Sequence, residues 1–143
     1  MSAGAAQRRV EPVVAARPDW QGSGTVLVVD DDEAVRGIAA RILAHLGFAV
    51  LTAENGARGI DEFRAHAPEI AFVLLDLTMP AMDGEQTFRE LRRSHPDVQV
   101  ILASGYNEQD ATSRFAGAGL AGFVKKPYTI EGLATVIRRA VGD

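Results

Sequence analysis

Short apolar runs alternate with amphipathic helical patterns along most of this chain, and this alternation limits its fold more than any other feature. Continuous apolar runs of this length are typical of strands that are covered on both faces. Strands that alternate with helices are joined by right-handed crossovers into a parallel sheet between two helical layers. Strands are predicted in TVLVVD (25–30), FAVLTA (48–53), IAFVLLD (70–76), VQVILAS (98–104) and AGFVKKP (121–127).

Five helices are predicted to follow these strands. The first carries an apolar stripe at three- and four-residue spacings, formed by Val35, Ile38, Ala39, Ile42, Leu43 and Leu46. The last places Ile130, Leu133, Ile137 and Val141 on one face. Five strands and five helices fit the doubly wound order 2-1-3-4-5. The other helices are predicted in GARGIDEFRAHA (56–67), GEQTFRELRRSH (84–95) and EQDATSRFAGAG (108–119).

Composition indicates one domain without a membrane segment. Residues 1–24 are rich in Ala, Arg, Pro and Gly without a period, which predicts a flexible N-terminal tail or linker before a domain over residues 25–143. The net charge of −4 argues against nucleic-acid binding by bulk electrostatics, and the absence of cysteine excludes disulfides and thiolate chemistry. No apolar run approaches the roughly 20 residues of a membrane helix, and the N-terminus lacks a secretory pattern. We therefore expect a cytoplasmic protein.

Polar side chains end the predicted strands at one edge of the sheet. Asp30 and Asp31 end the first strand, Asp76 the third, Ser104 the fourth and Lys126 the fifth. Sites in open parallel sheets form outside the carboxyl ends of the strands. Because the first and third strands are neighbours in this order, the three carboxylates are expected to converge, with the hydroxyl and the ammonium facing them.

The charges of these groups predict a divalent cation. Three carboxylates carry about three negative charges and one lysine offsets one of them, so the remainder matches Mg²⁺, with Mn²⁺ as a substitute. Asp32 and Glu33, the next acids along the chain, are assigned instead to the N-cap and the first turn of the first helix.

A cluster of magnesium, carboxylate, lysine and hydroxyl has the groups that phosphoryl transfer requires. Asp76 is the best candidate nucleophile, because it ends the central strand and is followed by a loop, LTMPAMDG, that leaves its carboxylate accessible. Phosphorylation replaces a carboxylate by a group of roughly two negative charges. The cluster therefore predicts a phosphorylation switch.

The stretches VLVVDDDEAVR, VLLDLTMPAMDG, VILASGY and GFVKKPY resemble the receiver domain of bacterial two-component response regulators. The resemblance covers nearly all of residues 25–141 and implies a flavodoxin-like fold. It also implies a phosphoacceptor in two-component or phosphorelay signal transduction, which is not an enzyme. The donor would be a phosphohistidine of a sensor histidine kinase or a histidine phosphotransfer protein. The domain would be a monomer or a weak dimer.

The resemblance also implies the metal ligands. Asp76 would be the phosphoacceptor. Asp31 would bind magnesium directly, Asp30 would bind it through water, and the main-chain carbonyl of Thr78 would be a further ligand.

The same resemblance implies how the switch works. Lys126 would pair with the phosphoryl group, Ser104 would be the switch hydroxyl, and Phe123 would be the switch aromatic, with a cis bond before Pro127. Ser104 stands where Thr is commoner, and Phe123 where Tyr is commoner. The signal would leave through the surface of residues 108–141.

Three alternatives remain open. In VLVVDDDEA, Asp30 and Asp32 also fit the D-x-D motif of haloacid-dehalogenase-like phosphatases, although Ala34 departs from that motif and Asp76 is left unexplained. A degenerate receiver would act only as a docking module. Finally, DWQGSGTVLVVDDDEAVR and the segment from SGY to EGL resemble receivers at the C-terminus of hybrid sensor histidine kinases, but a stand-alone receiver fits nearly as well.

Overall fold

The structure is a computed structural model that describes residues 24–77, 84–105 and 120–141. Its strands are β1 (Thr25–Val29), β2 (Ala49–Ala53), β3 (Ile70–Asp76), β4 (Val100–Ser104) and β5 (Gly122–Lys125). Its helices are α1 (Glu33–His45), α2 (Gly56–His66), a 3-10 turn (Ala67–Glu69), α3 (Gly84–Ser94) and α4 (Ile130–Val141).

The five strands of the described residues are parallel and lie in one sheet of order β2-β1-β3-β4-β5, which confirms the predicted doubly wound topology. Four of the five predicted α-helices lie in the described ranges. The helix predicted over residues 108–119 lies outside them, as do residues 1–23 of the predicted tail.

Strand register aligns the ends of four neighbouring strands. Val29 of β1 lies opposite Leu75 of β3, so Asp30 follows β1 at the level of Asp76. Ser104 of β4 lies opposite Lys125 of β5, so Lys126 leaves the sheet at the same edge. This edge is where the predicted polar residues come together.

The core has two layers because the sheet is covered on both faces. Side chains alternate along a strand. On one face of the sheet, Leu75 packs in a layer with residues of α2 and α3, including Ile60 and Phe63. On the other face, Leu74 packs in a layer with Leu43 of α1 and Leu133 of α4. Because both faces of β1, β3 and β4 are buried, these strands have no alternating polar positions, which is why they were recognisable as continuous apolar runs.

Two residues of the predicted apolar stripes are more exposed than expected. Ile38 is 41% exposed and Ile130 is 37% exposed. In α1 the buried face is centred on Ala39 and Leu43, and consecutive helical residues are about 100° apart, so Ile38 lies on the flank of that face. Ile130 is the first residue of α4, at the end of the helix.

Several predicted boundaries are shifted by one or two residues. β1 ends at Val29 rather than at Asp30, β2 begins at Ala49 rather than at Phe48, and β4 begins at Val100 rather than at residue 98. α2 and α3 each end one residue earlier than predicted. Within the described ranges, no helix is both long enough and apolar enough to cross a bilayer.

Candidate functional site

Two buried carboxylates share one ammonium at the carboxyl edge of the sheet. Asp30 is 1% exposed and Asp76 is 2% exposed. The Nζ atom of Lys126 lies 2.9 Å from Oδ2 of Asp30 and 3.1 Å from Oδ1 of Asp76. Three strand ends, those of β1, β3 and β5, therefore meet in one ion-pair cluster.

The acids keep this lysine charged. Burial by itself lowers the pKa of Lys126, but its pairing with Asp30 and the charge and hydrogen bond of Asp76 outweigh that effect, so the pKa of Lys126 is raised above its ordinary value of 10.5. Lys126 is consequently a cation across the physiological pH range. The neighbouring Lys125 is exposed on the other side of the strand.

A third carboxylate joins the pair from the turn after β1. Asp31 is exposed, and one ligand oxygen from each of Asp30, Asp31 and Asp76 lies within 4.8 Å of the other two. The three acids and Lys126 leave a net charge of about −2, and hard oxygen ligands favour Mg²⁺ or Mn²⁺. The residues present thus fit the divalent cation that the sequence predicts.

The next two acids along the chain belong to the start of α1. Oδ1 of Asp32 accepts hydrogen bonds from the amides of Ala34 (2.9 Å) and Val35 (3.1 Å), so Asp32 is the N-cap, as predicted. Glu33 lies in the first helical turn, where the helix dipole stabilises a negative charge.

The two carboxylate oxygens of Asp30 are held differently, because Oδ1 accepts a hydrogen bond whereas the buried Oδ2 has an ion pair but no hydrogen-bond partner. The main-chain amide of Asp32 donates to Oδ1 at 2.9 Å, and Lys126 pairs with Oδ2. The main-chain amide of Asp30 still donates to the carbonyl of Ala53 at 3.1 Å. Asp30 is therefore held by a strand bond, a turn bond and an ion pair.

The predicted switch residues lie on the two strands beside this cluster. Ser104 ends β4 and is fully buried. Phe123 on β5 lies opposite Leu102 and packs, partly buried, against the core layer that contains α2 and α3. The Lys126–Pro127 bond is cis. Thr78, the predicted carbonyl ligand, lies outside the described residues.

Two further residues near the site were not expected from the sequence. The guanidinium of Arg36 donates to the main-chain carbonyl of Asp30 at 2.8 Å. The pKa of Tyr128 is raised, first by burial and then by the negative charges of Asp30 and Asp76. Arg36 is the last residue of VLVVDDDEAVR and Tyr128 the last of GFVKKPY, but only the folded turns bring them near the acids.

Comparison with known proteins identifies the family. The family model described as response regulator receiver domain matches residues 26–138. The chain belongs to the response regulator receiver domain family. This receiver is 36% identical over 128 residues to the sensor kinase CckA of Brucella abortus, covering 90% of the chain and 14% of the kinase. It is 30% identical to the chemotaxis protein CheY of Bacillus subtilis, covering 81% of the chain and 96% of CheY.

A solved structure of a receiver complex is similar as well. The CheX–CheY–BeF3–Mg²⁺ complex from Borrelia burgdorferi matches with a TM-score of 0.76 and 26% identity, covering 80% of this receiver and 87% of the matched chain. The receiver spans about a seventh to a quarter of its first curated relatives, 14% of CckA and 25% of the NtrC regulators.

Proposed function

We propose that this receiver accepts a phosphoryl group on Asp76 from a phosphohistidine, with Mg²⁺ required. The observation that carries the proposal is the buried pair of Asp30 and Asp76, bridged by Lys126 and joined by the exposed carboxylate of Asp31. This arrangement combines a nucleophile, a fixed cation and oxygen ligands for a metal at one strand edge.

In the proposed step, a carboxylate oxygen of Asp76 attacks phosphorus and forms a P–O bond while the P–N bond of the phosphohistidine breaks. The electron pair of that bond passes to the imidazole nitrogen, which takes up a proton from solvent. Bound magnesium supplies neutralisation of the charge on the phosphoryl oxygens. Lys126 pairs with one of these oxygens, and the hydroxyl of Ser104 donates to another.

The proposed ligand roles follow from how each acid is already used. Asp30 is buried, its Oδ1 accepts a hydrogen bond from the protein and its Oδ2 is paired with Lys126, which favours contact with the metal through water. Asp31 is exposed and is the direct ligand, together with Asp76. The main-chain carbonyl of Thr78 remains a proposed ligand outside the described residues. The Borrelia relative, whose solved complex contains BeF3 and Mg²⁺, supports magnesium as the ion.

Phosphorylation changes the charge at Asp76 by about one unit. We propose that Ser104 turns toward the added phosphoryl group and that Phe123, on the adjacent strand, moves with it. The surface of residues 108–141 then changes its affinity for partners. Ser104 is buried and Phe123 is only partly buried, so a shift of the aromatic ring reaches the surface of β5.

The proposed phosphodonor is a sensor histidine kinase or a histidine phosphotransfer protein in the bacterial cytoplasm. The similarity to the sensor kinase CckA favours a receiver attached to a kinase. The proposal assigns the domain no enzymatic reaction on another molecule and no nucleic-acid contact. It is proposed to be a monomer or a weak dimer.

Intact-mass spectrometry after incubation with acetyl phosphate tests the proposal. Wild type should gain one phosphoryl group only when Mg²⁺ is present, and Asp76→Asn should gain none because it lacks the nucleophilic oxygen. Asp61→Asn removes an exposed carboxylate from α2 and should be phosphorylated like wild type.

Two results would favour other functions. Phosphorylation that persists in Asp76→Asn, with free phosphate accumulating, would revive the phosphatase interpretation based on Asp30 and Asp32. Asp32 already caps α1 through its carboxylate, which argues against its use as a general acid. Failure to phosphorylate wild type with either acetyl phosphate or a phosphohistidine protein would favour a docking module.

A further inference from the structure

Arg36 connects α1 to the acidic turn. Its side chain extends from the second turn of the helix back to the end of β1, where the guanidinium donates to the main-chain carbonyl of Asp30 at 2.8 Å in a partly buried contact. We propose that Arg36 is a positioning residue for the metal site, which fixes the direction in which Asp31 leaves the turn. This inference rests on the proposed function, because Asp31 matters as a ligand only if the receiver binds Mg²⁺.

Peptide geometry explains how this contact orients Asp31. The carbonyl of Asp30 belongs to the planar peptide group that leads into Asp31, so fixing its oxygen fixes the plane of that group. The peptide on the other side of Asp31 is also held, because the amide of Asp32 donates to Oδ1 of Asp30 at 2.9 Å. Asp31 is therefore clamped between two fixed peptide planes although its own side chain is exposed.

The turn requires such a clamp because neighbouring acids repel one another. Asp30, Asp31 and Asp76 present ligand oxygens within 4.8 Å of one another, and without a cation the exposed member is driven toward solvent. A hydrogen bond from a charged donor is roughly twice as strong as a neutral one. Arg36 thus strongly restrains the peptide group between Asp30 and Asp31.

The sign of the change in metal affinity separates positioning from a simple charge effect. Removing the positive charge of Arg36 should strengthen the binding of a cation if the charge acts only through its field. Removing the clamp should weaken binding, because Asp31 must then be ordered when the metal binds. We expect the clamp to dominate, because Arg36 is only partly buried and solvent and salt therefore screen its field at the metal site.

Calorimetric titration of the full chain with MgCl₂, without any phosphodonor, measures this sign. Arg36→Met should bind Mg²⁺ about tenfold more weakly than wild type, the lower end of what loss of an outer-shell partner costs. Arg36→Lys keeps a cationic donor without the planar fork and should lose less. Arg41→Met removes an equal charge from an exposed position further along the same helix and should match wild type.

Amide hydrogen exchange provides a readout that needs no metal. In metal-free Arg36→Met the amide of Asp32 should exchange faster than in wild type, while amides of the central strand β3 should keep their protection. Equal or tighter Mg²⁺ binding by Arg36→Met would overturn the proposal, as would an Asp32 amide with unchanged exchange. Should Arg36→Met fail to fold, the same two measurements on Arg36→Lys decide.

The two proposals fail in different ways. If wild type binds no Mg²⁺ and is not phosphorylated, the proposed function is wrong and the role of Arg36 is wrong with it. If wild type binds the metal and accepts the phosphoryl group while Arg36→Met binds as tightly, only the positioning role is wrong.

Discussion

At the scale of single residues, Lys126 is the counterion of two buried carboxylates. Breaking a buried ion pair by removing one partner costs about 3–5 kcal/mol, because the remaining charge is left uncompensated. We expect Lys126→Met to lose about that much free energy of unfolding at neutral pH without metal, and to recover part of it when Mg²⁺ is added. Urea unfolding with and without Mg²⁺ measures both effects.

Lys125→Met is the matched control for this variant. Lys125 is exposed, and exposed substitutions away from special contacts usually stay within about 0.5 kcal/mol. If Lys125→Met and Lys126→Met lower the free energy of unfolding equally, the ion pairs of Lys126 with Asp30 and Asp76 do not stabilise the fold.

Tyr128 gives the receiver an alkaline pH dependence. Its pKa is raised above the ordinary 10.0, first by burial and then by the charges of Asp30 and Asp76. The folded protein therefore holds the phenol proton more tightly than the unfolded chain does, so this contribution to stability is complete below pH 10.0 and is lost as the pH rises above it. We expect wild type to lose more stability than Tyr128→Phe above that pH.

Tyrosinate absorbance in a rapid pH titration separates Tyr128 from the other tyrosine. The difference between wild type and Tyr128→Phe reports the ionisation of Tyr128 alone, which should appear only as the protein unfolds. The pKa of Lys126 is also raised, so Lys126 likewise causes a loss of stability at alkaline pH. Because Lys126 is present in both proteins, its effect cancels in the difference between them. Ionisation of Tyr128 near pH 10.0 in the folded state would contradict the expectation.

The sequence predicted the charged residues that lie at or just after a strand end, but not Arg36 on the following helix. Asp30, Asp76 and Lys126 were found because each follows an apolar run, and parallel strands bring such positions to one edge. Arg36 carries no such mark, since an arginine on the flank of a helical stripe is usually solvated. Its contact depends on the fold of the acidic turn, which no periodicity describes.

At the scale of elements, α2 lies so close to β1 that a glycine is required between them. A Cβ atom at Gly59 would stand 2.8 Å from Cγ2 of Val29, and valine has little rotamer freedom to move aside. We expect Gly59→Ala to lower the free energy of unfolding by about 1–3 kcal/mol, the usual cost of overpacking a core. Urea unfolding measures it.

Gly37→Ala is the opposite case and serves as the control. Gly37 lies within α1, and a Cβ atom there would meet no atom within 4 Å. Alanine should stabilise this helix by about 0.5–1 kcal/mol, because glycine loses more backbone entropy on folding. If Gly59→Ala also stabilises the protein, helix propensity rather than the α2–β1 distance governs Gly59.

Elements were predicted more accurately than their ends. The apolar runs identified each strand that the described residues contain, most clearly β1, β3 and β4, which are buried on both faces. Their ends were less certain, since a strand stops where its pairing stops, and pairing depends on the neighbouring strand. β4 begins at Val100 because its first partner is Val73 of β3, although Val98 is also buried and apolar.

At the scale of the whole molecule, the fold concentrates negative charge at the carboxyl edge of the sheet, where we propose that the metal and the phosphoryl group bind. Such convergence costs stability in the absence of a cation, and a ligand that binds only the folded state restores it by RT ln(1 + [L]/Kd). That gain is about 2.7 kcal/mol at a free concentration one hundred times Kd. Metal-dependent stability is thus a property of the whole fold.

Asp31→Asn should uncouple the stability of the receiver from magnesium. Asp31 is exposed, so its replacement breaks no buried contact and removes one of three mutually repelling charges. We expect the metal-free variant to unfold at or slightly above the midpoint of wild type. In millimolar Mg²⁺, wild type should gain several degrees, whereas the variant should gain little because its direct ligand is missing.

Thermal unfolding with and without Mg²⁺ distinguishes this from a general effect of charge. Asp61→Asn removes one carboxylate from the exposed face of α2 and should keep the full magnesium-dependent rise. A rise that survives in Asp31→Asn would mean that the metal binds elsewhere or that Asp30 and Asp76 suffice. If metal-free Asp31→Asn is markedly less stable than wild type, the carboxylate of Asp31 stabilises the fold. That result would contradict the expected repulsion among the three acids.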